Sequence, residues 1–248
     1  MLAGGAMTRM QEIRGAVELP RVAEDIELHT ADGLTLVGEL SVPVSGAPEA
    51  TLIALHPLPT HGGFMDSHIL LKAALRLPAL AQLAVLRFNT RGTQSPRGTS
   101  EGTFDEGNAE RFDVAAAVDF VRERGLPAPW LLGWSFGTEL ALKYGLSMPI
   151  EGIIVLSPPL RRTTADEVAA WHGSGKHVTV VVPEFDEFLP PRPAAAGFAA
   201  IPEARFVAVE GGRHLWVGER FVYRVLTEIV RDVNPSALPL PHEWPVEP

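Results

Sequence analysis

The sequence predicts an α/β domain with a mostly parallel sheet of eight strands and helices on both faces of that sheet. Six apolar runs of strand length alternate with segments of helical periodicity, a pattern typical of parallel sheets that are covered on both faces. Two further strand-like runs flank a turn signal at Asp32-Gly33, which predicts a hairpin and hence an antiparallel N-terminal edge. The 248 residues contain no interior linker, so we expect one domain over residues 21–233.

The predicted parallel strands are short and almost entirely apolar, and they cover residues 51–56, 84–89, 129–134, 153–157, 177–182 and 205–210. The predicted helices carry apolar residues at helical spacing and cover residues 67–83, 108–125, 136–146 and 218–233. Pro78 is expected to mark a kink or break in the first of these helices. About twenty residues separate Ser157 from His177, which is enough for one helix from Thr163 to Trp171 but not for a cap domain.

The two ends of the chain differ in composition from the domain between them. Residues 1–20 are expected to be a ragged leader, with Met7 and Met10 as alternative starts. Residues 234–248 form a tail with five prolines, which are expected to exclude regular structure because proline lacks the N–H donor and fixes φ. We therefore expect the tail to be mobile or laid across the surface.

Composition excludes several classes of function. A net charge of −9 argues against nucleic acid and anionic membranes as partners, because both bind concentrated Lys and Arg. The absence of cysteine excludes disulfides, thiolate metal sites and a cysteine nucleophile. The sequence has neither an apolar run long enough for a membrane helix nor the apolar core of a signal peptide, so we expect a cytoplasmic monomer or homodimer without cofactor or metal.

A candidate nucleophile lies where the third predicted parallel strand meets a helix. Gly133-Trp134-Ser135-Phe136-Gly137 fits the G-x-S-x-G pattern, in which the serine occupies a tight, strained turn whose neighbours must lack bulk. The helix that follows directs backbone N–H groups toward negative charge that develops near the hydroxyl. Because a serine hydroxyl is a weak nucleophile, this interpretation requires a base and an orienting acid.

The base and the acid are expected beyond the carboxyl ends of later strands, on the same rim of the sheet as Ser135. His214 follows a predicted strand after a Gly-Gly turn and is the predicted base. Asp186 follows the predicted strand 177–182 and is the predicted acid, with Glu184 and Glu187 as close rivals. The chain order serine, acid, histidine agrees with this architecture.

Acyl transfer also requires hydrogen-bond donors for the oxyanion that forms. The backbone N–H of Phe136, next to the nucleophile, is one candidate, and the loop 56–63 is expected to supply the second. Leu58 is predicted as that second donor, because Pro57 and Pro59 have no N–H.

Two tryptophans and two histidines lie beside these motifs. Trp134 and Trp216 flank the nucleophile and the predicted base, and they are predicted to line an apolar acyl or alcohol pocket, with ordinary core packing as the alternative. His56 and His61 do not have the spacing of a zinc-binding helix. His56 is instead expected to brace its loop.

Together these residues resemble the α/β-hydrolase superfamily over residues 25–233. Beyond G-W-S-F-G, the segment RFNTRGTQSPRGTSEGTFDEGNAERFD is similar to a stretch of small, lidless bacterial hydrolases described as predicted esterases. HPLPTHGGFMDSH resembles the loop that carries their oxyanion donor. The resemblance implies the α/β-hydrolase fold without a cap domain, a catalytic triad of Ser135, Asp186 and His214, and an oxyanion hole formed by the N–H groups of Leu58 and Phe136.

The sequence departs from this family at the acid loop. Val182-Pro183 stands where the family usually has a histidine-glycine pair before its acid, so the loop that carries Asp186 is expected to be altered. Dienelactone hydrolases share the small lidless shape but use a cysteine nucleophile, and this chain has none.

The predicted function is a serine hydrolase that cleaves small to medium acyl esters through an acyl-enzyme intermediate. Thioester and amide cleavage use the same machinery, and a cofactor-free perhydrolase uses the same triad. The alternative is a non-catalytic protein of this fold that binds a small molecule or a protein partner. The altered acid loop and the proline-rich tail motivate that alternative.

Overall fold

The structure is a computed structural model that describes residues 9–127 and 129–246. Residues 1–8 of the expected leader, which include Met7, and residues 247–248 of the tail lie outside the described residues. Among the described residues, no helix combines the length and the apolar character that a bilayer crossing requires.

The order of strands and helices follows the predicted alternation. The strands are β1 (Arg9–Glu12), β2 (Val22–His29), β3 (Thr35–Val42), β4 (Ala50–Leu55), β5 (Leu83–Phe88), β6 (Gln94–Ser95), β7 (Gly98–Thr99), β8 (Pro129–Trp134), β9 (Gly152–Leu156), β10 (His177–Phe185), β11 (Arg205–Arg213) and β12 (Glu243–Val246). The helices are α1 (His68–Ala81), α2 (Glu110–Glu123), α3 (Phe136–Tyr144), α4 (Ala165–Ala169), α5 (Pro191–Gly197) and α6 (Glu219–Val233).

Eight strands form the main sheet in the order β11-β10-β9-β8-β4-β5-β3-β2. The pairs from β11 to β5 are all parallel, whereas β3 is antiparallel to both of its neighbours. The predicted eight-stranded, mostly parallel sheet with an antiparallel N-terminal edge is therefore confirmed. Because β8, β10 and β11 run in the same direction, the segments that follow them emerge on one rim of the sheet.

Apolar side chains on the two faces of the sheet form two core layers. One layer packs the sheet against α2 and α3, and the other packs it against α1 and α6. Strand β8 shows the alternation, because Leu131 faces the first layer and Trp130, Leu132 and Trp134 face the second. Burial of each large apolar side chain contributes roughly 1.5–3 kcal/mol, so these layers hold the rim in place.

Two local expectations about helices need correction. Helix α1 continues through Pro78 to Ala81, so the expected break does not occur, and a kink at Pro78 stays a prediction. The helix expected from Thr163 to Trp171 is shorter, since α4 covers only Ala165–Ala169. Thr164 caps it by accepting the backbone N–H of Glu167 at 3.2 Å, and this cap fixes a later start than periodicity alone indicates.

The expectation that the tail has no regular structure is wrong for part of it. Strand β12 pairs antiparallel with β1, with Met10 opposite Pro245. A two-stranded ribbon leaves half of its N–H groups unpaired, so a proline is tolerated there. The Tyr223 hydroxyl donates to the carbonyl oxygen of Leu240 at 2.6 Å, and Leu240 is buried against the core. The tail therefore lies against the domain.

Candidate active site

Ser135 occupies a strained turn between β8 and α3. Its backbone has φ 53° and ψ −115°, a conformation that residues other than glycine rarely adopt. A Cβ at Gly133 would lie 2.5 Å from the carbonyl oxygen of Gly137, and a Cβ at Gly137 would lie 2.1 Å from that of Leu55. Both glycines are thus required by close backbone contacts, as the sequence motif predicts.

The structure brings Ser135, His214 and Asp186 together. His214 Nε2 lies 2.9 Å from Ser135 Oγ, and His214 Nδ1 lies 3.0 and 3.1 Å from the two carboxylate oxygens of Asp186. These are ordinary hydrogen-bond distances. His214 and Asp186 are both buried, with 6% and 5% of their surface exposed, so the two side chains interact away from bulk solvent.

Asp186 is held as an anion by its hydrogen bonds. Burial raises the pKa of this carboxyl, but the hydrogen bond from His214 and the backbone N–H groups of Phe188 and Leu189 outweigh it and leave the pKa below its usual range. Those N–H groups donate to Oδ1 at 2.9 and 3.1 Å. An ionised Asp186 accepts the Nδ1 proton of His214, which leaves Nε2 free to face the serine.

The rival acids do not bind the imidazole. Glu184 accepts the backbone N–H of Gly211 at 2.7 Å. Glu187 accepts the backbone N–H of His214 at 3.2 Å and pairs with Arg213 at 3.1 Å. Both carboxylates therefore support the backbone around the histidine, and neither is in the position that Asp186 occupies.

The altered acid loop has a structural counterpart in β10. The pairing between β10 and β11 shifts register between Pro183 and Phe185, as expected at a β-bulge, which bends a strand and re-aims the residue that follows. The backbone N–H of Asp186 then donates to the carbonyl oxygen of Pro183 at 3.2 Å. Despite Val182-Pro183, this loop brings the Asp186 carboxylate to His214.

The loop after β4 is fixed by His56, as expected from the sequence. The buried imidazole contacts the carbonyl oxygen of Pro57 through Nδ1 at 2.6 Å and the backbone N–H of Thr90 through Nε2 at 3.0 Å. Burial lowers the pKa of His56 to about 4, so the ring is neutral and donates from Nδ1. A Cβ at Gly63 would lie 2.1 Å from the Pro57 carbonyl oxygen, which explains the glycine in this loop.

Leu58 and Phe136 both line a small cleft at Ser135. The cleft has a volume of about 190 Å³ and is lined by Pro57, Leu58, His61, Ser135, Phe136, Glu139, Pro159, Arg161, Arg162, Phe188, His214 and Leu215. Within the described part of the chain, the backbone N–H groups of Leu58 and Phe136 have no hydrogen-bond acceptor. Two unpaired donors beside a serine hydroxyl are suited to an oxyanion.

The prediction that Trp134 and Trp216 line the pocket is wrong. Trp134 is 2% exposed and Trp216 is fully buried, and both belong to the core layer on the α1 and α6 side of the sheet. The Trp134 indole Nε1 donates to the carbonyl oxygen of His214 at 3.2 Å. This tryptophan therefore holds the His214 backbone through a hydrogen bond from the core side of the sheet and does not line the cleft.

Sequence reasoning missed Glu139, Arg161 and Phe188 as residues of the cleft. Glu139 follows Ser135 by four residues on α3, so the helical repeat already places it on the same side of that helix. Phe188 packs edge-on against the His214 ring at 4.4 Å between centroids. No signal in the sequence singled out Arg161 or Phe188, because loop packing brings them to the cleft.

Comparison of the sequence with protein families and curated proteins gives a partial match. No protein-family model matches the chain. An uncharacterized protein of Rickettsia prowazekii is 32% identical over 118 residues, which cover 46% of this chain and 48% of that protein. The match thus spans about half the length of that curated relative.

Solved structures resemble the chain over most of its length. A lidless α/β serine hydrolase from Xanthomonas campestris is 24% identical, with a TM-score of 0.71, over 90% of this chain and 99% of its own. An α/β serine hydrolase homologue from Coxiella burnetii is 25% identical, with a TM-score of 0.72, over 85% and 97%. A Butyrivibrio proteoclasticus protein with bound ferulic acid is 17% identical, with a TM-score of 0.69, over 84% and 98%.

The sheet order and these likenesses show that the chain has the α/β-hydrolase fold. Like the Xanthomonas structure, it has no cap domain within residues 9–127 and 129–246.

Proposed function

We propose that the protein is a serine hydrolase that cleaves small to medium acyl esters through an acyl-enzyme intermediate. The observation that carries this proposal is the His214 imidazole, which bridges Ser135 Oγ at 2.9 Å and the Asp186 carboxylate at 3.0 Å. These distances suit proton transfer from the hydroxyl and orientation of the ring by the acid. The likeness to serine hydrolases supports the same chemistry.

In the first half-reaction, Ser135 Oγ attacks the acyl carbon while His214 Nε2 takes the hydroxyl proton. The N–H groups of Leu58 and Phe136 stabilise the oxyanion, and Asp186 stabilises the imidazolium. His214 then transfers the proton to the leaving alkoxide as the C–O bond breaks. In the second half-reaction, water gives a proton to Nε2 and attacks the acyl-enzyme, and that proton returns to Ser135 Oγ when the acid leaves.

The size of the cleft favours modest substrates. Its volume of about 190 Å³ is below the roughly 300–1,000 Å³ of pockets that enclose drug-sized ligands. Apolar groups from Leu58, Phe136, Phe188 and Leu215 supply much of the lining. We therefore expect short-chain nitrophenyl esters to be cleaved faster than long-chain triglycerides, with thioesters and amides as further substrates of the same machinery.

A fluorophosphonate probe and a panel of nitrophenyl esters test this function directly. The wild-type protein should be labelled at Ser135, and Ser135→Ala should lose labelling and about 10⁴–10⁶-fold of the turnover. Ser174→Ala is a matched control, because Ser174 is exposed in the turn before β10 and should change neither readout. A wild-type protein that is neither labelled nor active would instead support the non-catalytic binding protein.

A further inference from the structure

The cleft at Ser135 contains three charged side chains, and two of them are neutralised by protein contacts. Glu139 is buried and accepts the backbone N–H of Arg161 at 2.6 Å and that of Arg162. Arg162 Nη1 lies 3.5 Å from the second oxygen of Glu139. Arg162 also donates to Glu106 through Nε at 2.9 Å. Glu139 and Arg162 thus offset each other's charge, and Glu106 pairs with Arg162 as well, although Glu139 Oε2 accepts no hydrogen bond within the described residues.

Arg161 is the third charge, and its guanidinium is available. Among the described residues, no carboxylate or carbonyl accepts a hydrogen bond from this side chain. Its Cζ lies 5.0 Å from the centroid of the Phe188 ring, and that ring lies 4.4 Å from the His214 ring. The guanidinium therefore lies over an aromatic ring that itself contacts the proposed catalytic imidazole.

The backbone that carries Arg161 is held firmly. Leu160 has φ 49°, a conformation that persists in a leucine only where the surroundings impose it. The hydrogen bonds from residues 161 and 162 to the buried Glu139 carboxylate provide that constraint. Glu139 lies on α3, the helix that directly follows Ser135, so the fold fixes the position of the Arg161 backbone relative to Ser135.

We propose that Arg161 selects esters that carry a carboxylate a few carbons from the bond that is cleaved. This inference rests on the serine hydrolase function proposed above and names its substrate class. A planar guanidinium binds a carboxylate through two parallel hydrogen bonds, while the apolar cleft holds the carbon chain between the carboxylate and the ester. The overall charge of −9 attracts cations, so a preference for anionic esters requires a local cation such as Arg161.

A charge series of methyl esters tests this inference in the full-length protein. The three substrates are monomethyl adipate, its neutral terminal amide, and methyl 6-aminohexanoate, which end in a carboxylate, an amide and an ammonium group. We expect kcat/KM to be about 3–5-fold higher for the carboxylate than for the amide, the effect of an ion pair with an exposed arginine. An acetoxy acid and its amide form a second arm, which places the carboxylate on the alcohol side of the ester.

Variants at Arg161 then separate a local contact from the overall field. Arg161→Gln should reduce the carboxylate-to-amide ratio to about one, Arg161→Lys should retain part of it, and Arg161→Glu should favour the ammonium ester. Arg122→Gln is the matched control, because Arg122 is exposed on α2, pairs with Asp119 and does not line the cleft. It removes the same charge and should leave the ratio unchanged.

Each outcome decides the inference. Equal rates for carboxylate and amide esters in both arms, or a ratio that survives in Arg161→Gln, would overturn it while leaving the hydrolase function intact. If an Arg161 variant does not fold, the wild-type ratio and its decrease with added salt still decide the question, since screening weakens an exposed ion pair. A protein that hydrolyses none of the esters and is not labelled by the fluorophosphonate probe would contradict the proposed function, and this inference with it.

Discussion

His56 links the stability of the fold to pH through a buried, neutral imidazole. Burial lowers the pKa of His56 from 6.5 to about 4, although its hydrogen bond to Pro57 acts in the opposite direction. Below pH 6.5 the unfolded chain therefore takes up a proton that the folded protein does not accept until about pH 4. The stabilisation is complete above pH 6.5 and is lost as the pH falls toward 4. The free energy of unfolding falls by about 1.36 kcal/mol for each pH unit in this range. Between pH 6.5 and 4 the total loss is roughly 3 kcal/mol.

The variant His56→Gln isolates this effect. A glutamine can accept the N–H of Thr90 as the imidazole Nε2 does, but it does not titrate. Urea unfolding followed by tryptophan fluorescence at pH 7.5, 6.5, 5.5 and 4.5 gives the free energy of unfolding for both proteins. We expect the wild-type value to fall about 2–3 kcal/mol further than that of the variant between pH 7.5 and 4.5. Parallel curves would show that the folded-state pKa of His56 is not lowered and would refute the reasoning.

Three further predictions concern the groups around Ser135. Leu58 has φ −55°, which a proline can adopt. Leu58→Pro should therefore delete the proposed oxyanion donor and lower kcat about 10²–10³-fold in the nitrophenyl ester assay. Leu58→Ala keeps the N–H and should lower kcat far less in the same assay. Asp186→Asn should lower kcat about 10⁴-fold and Glu187→Gln much less; undiminished activity in Asp186→Asn would transfer the role of acid to a neighbouring glutamate. Trp134→Phe loses the hydrogen bond to the His214 carbonyl, and Trp216→Phe loses none, because its Nε1 has no acceptor among the described residues. Thermal unfolding should therefore show Trp134→Phe to be less stable than Trp216→Phe by about 1–3 kcal/mol, and equal stabilities would count against that role for the indole.

The sheet and the turn at Ser135 were predictable because each depends on local patterns. Apolar runs of strand length indicate burial on both faces of the sheet. The glycines on either side of Ser135 indicate a tight turn, because a Cβ at either position would lie 2.5 Å or less from a backbone carbonyl oxygen. The order of serine, acid and histidine along the chain then limits which strand ends carry the partners. The choice among the acidic residues at 184, 186 and 187 depends on a register shift in β10, which no local pattern in the sequence reveals.

The position of Trp134 and the strand in the tail differ from what the sequence predicts. Alternation along β8 directs the Trp134 side chain to the face that carries α1 and α6, so strand periodicity excludes this tryptophan from the cleft even though it precedes Ser135 directly in the sequence. The pairing of β1 with β12 joins segments more than two hundred residues apart. Such long-range pairing is set by tertiary packing, and the prolines in the tail obscured the strand.

The backbone conformation of Ser135 has a consequence for how this protein balances stability against activity. At φ 53° and ψ −115° a serine pays roughly 1–3 kcal/mol in conformational strain, whereas a glycine adopts this mirror image of the extended region freely. The variant Ser135→Gly, which lacks the proposed nucleophile, should therefore unfold at a higher temperature than the wild type. Selection for thermal stability alone would favour loss of the hydroxyl, so a stable but inactive chain is the outcome to guard against when this fold is engineered for heat tolerance.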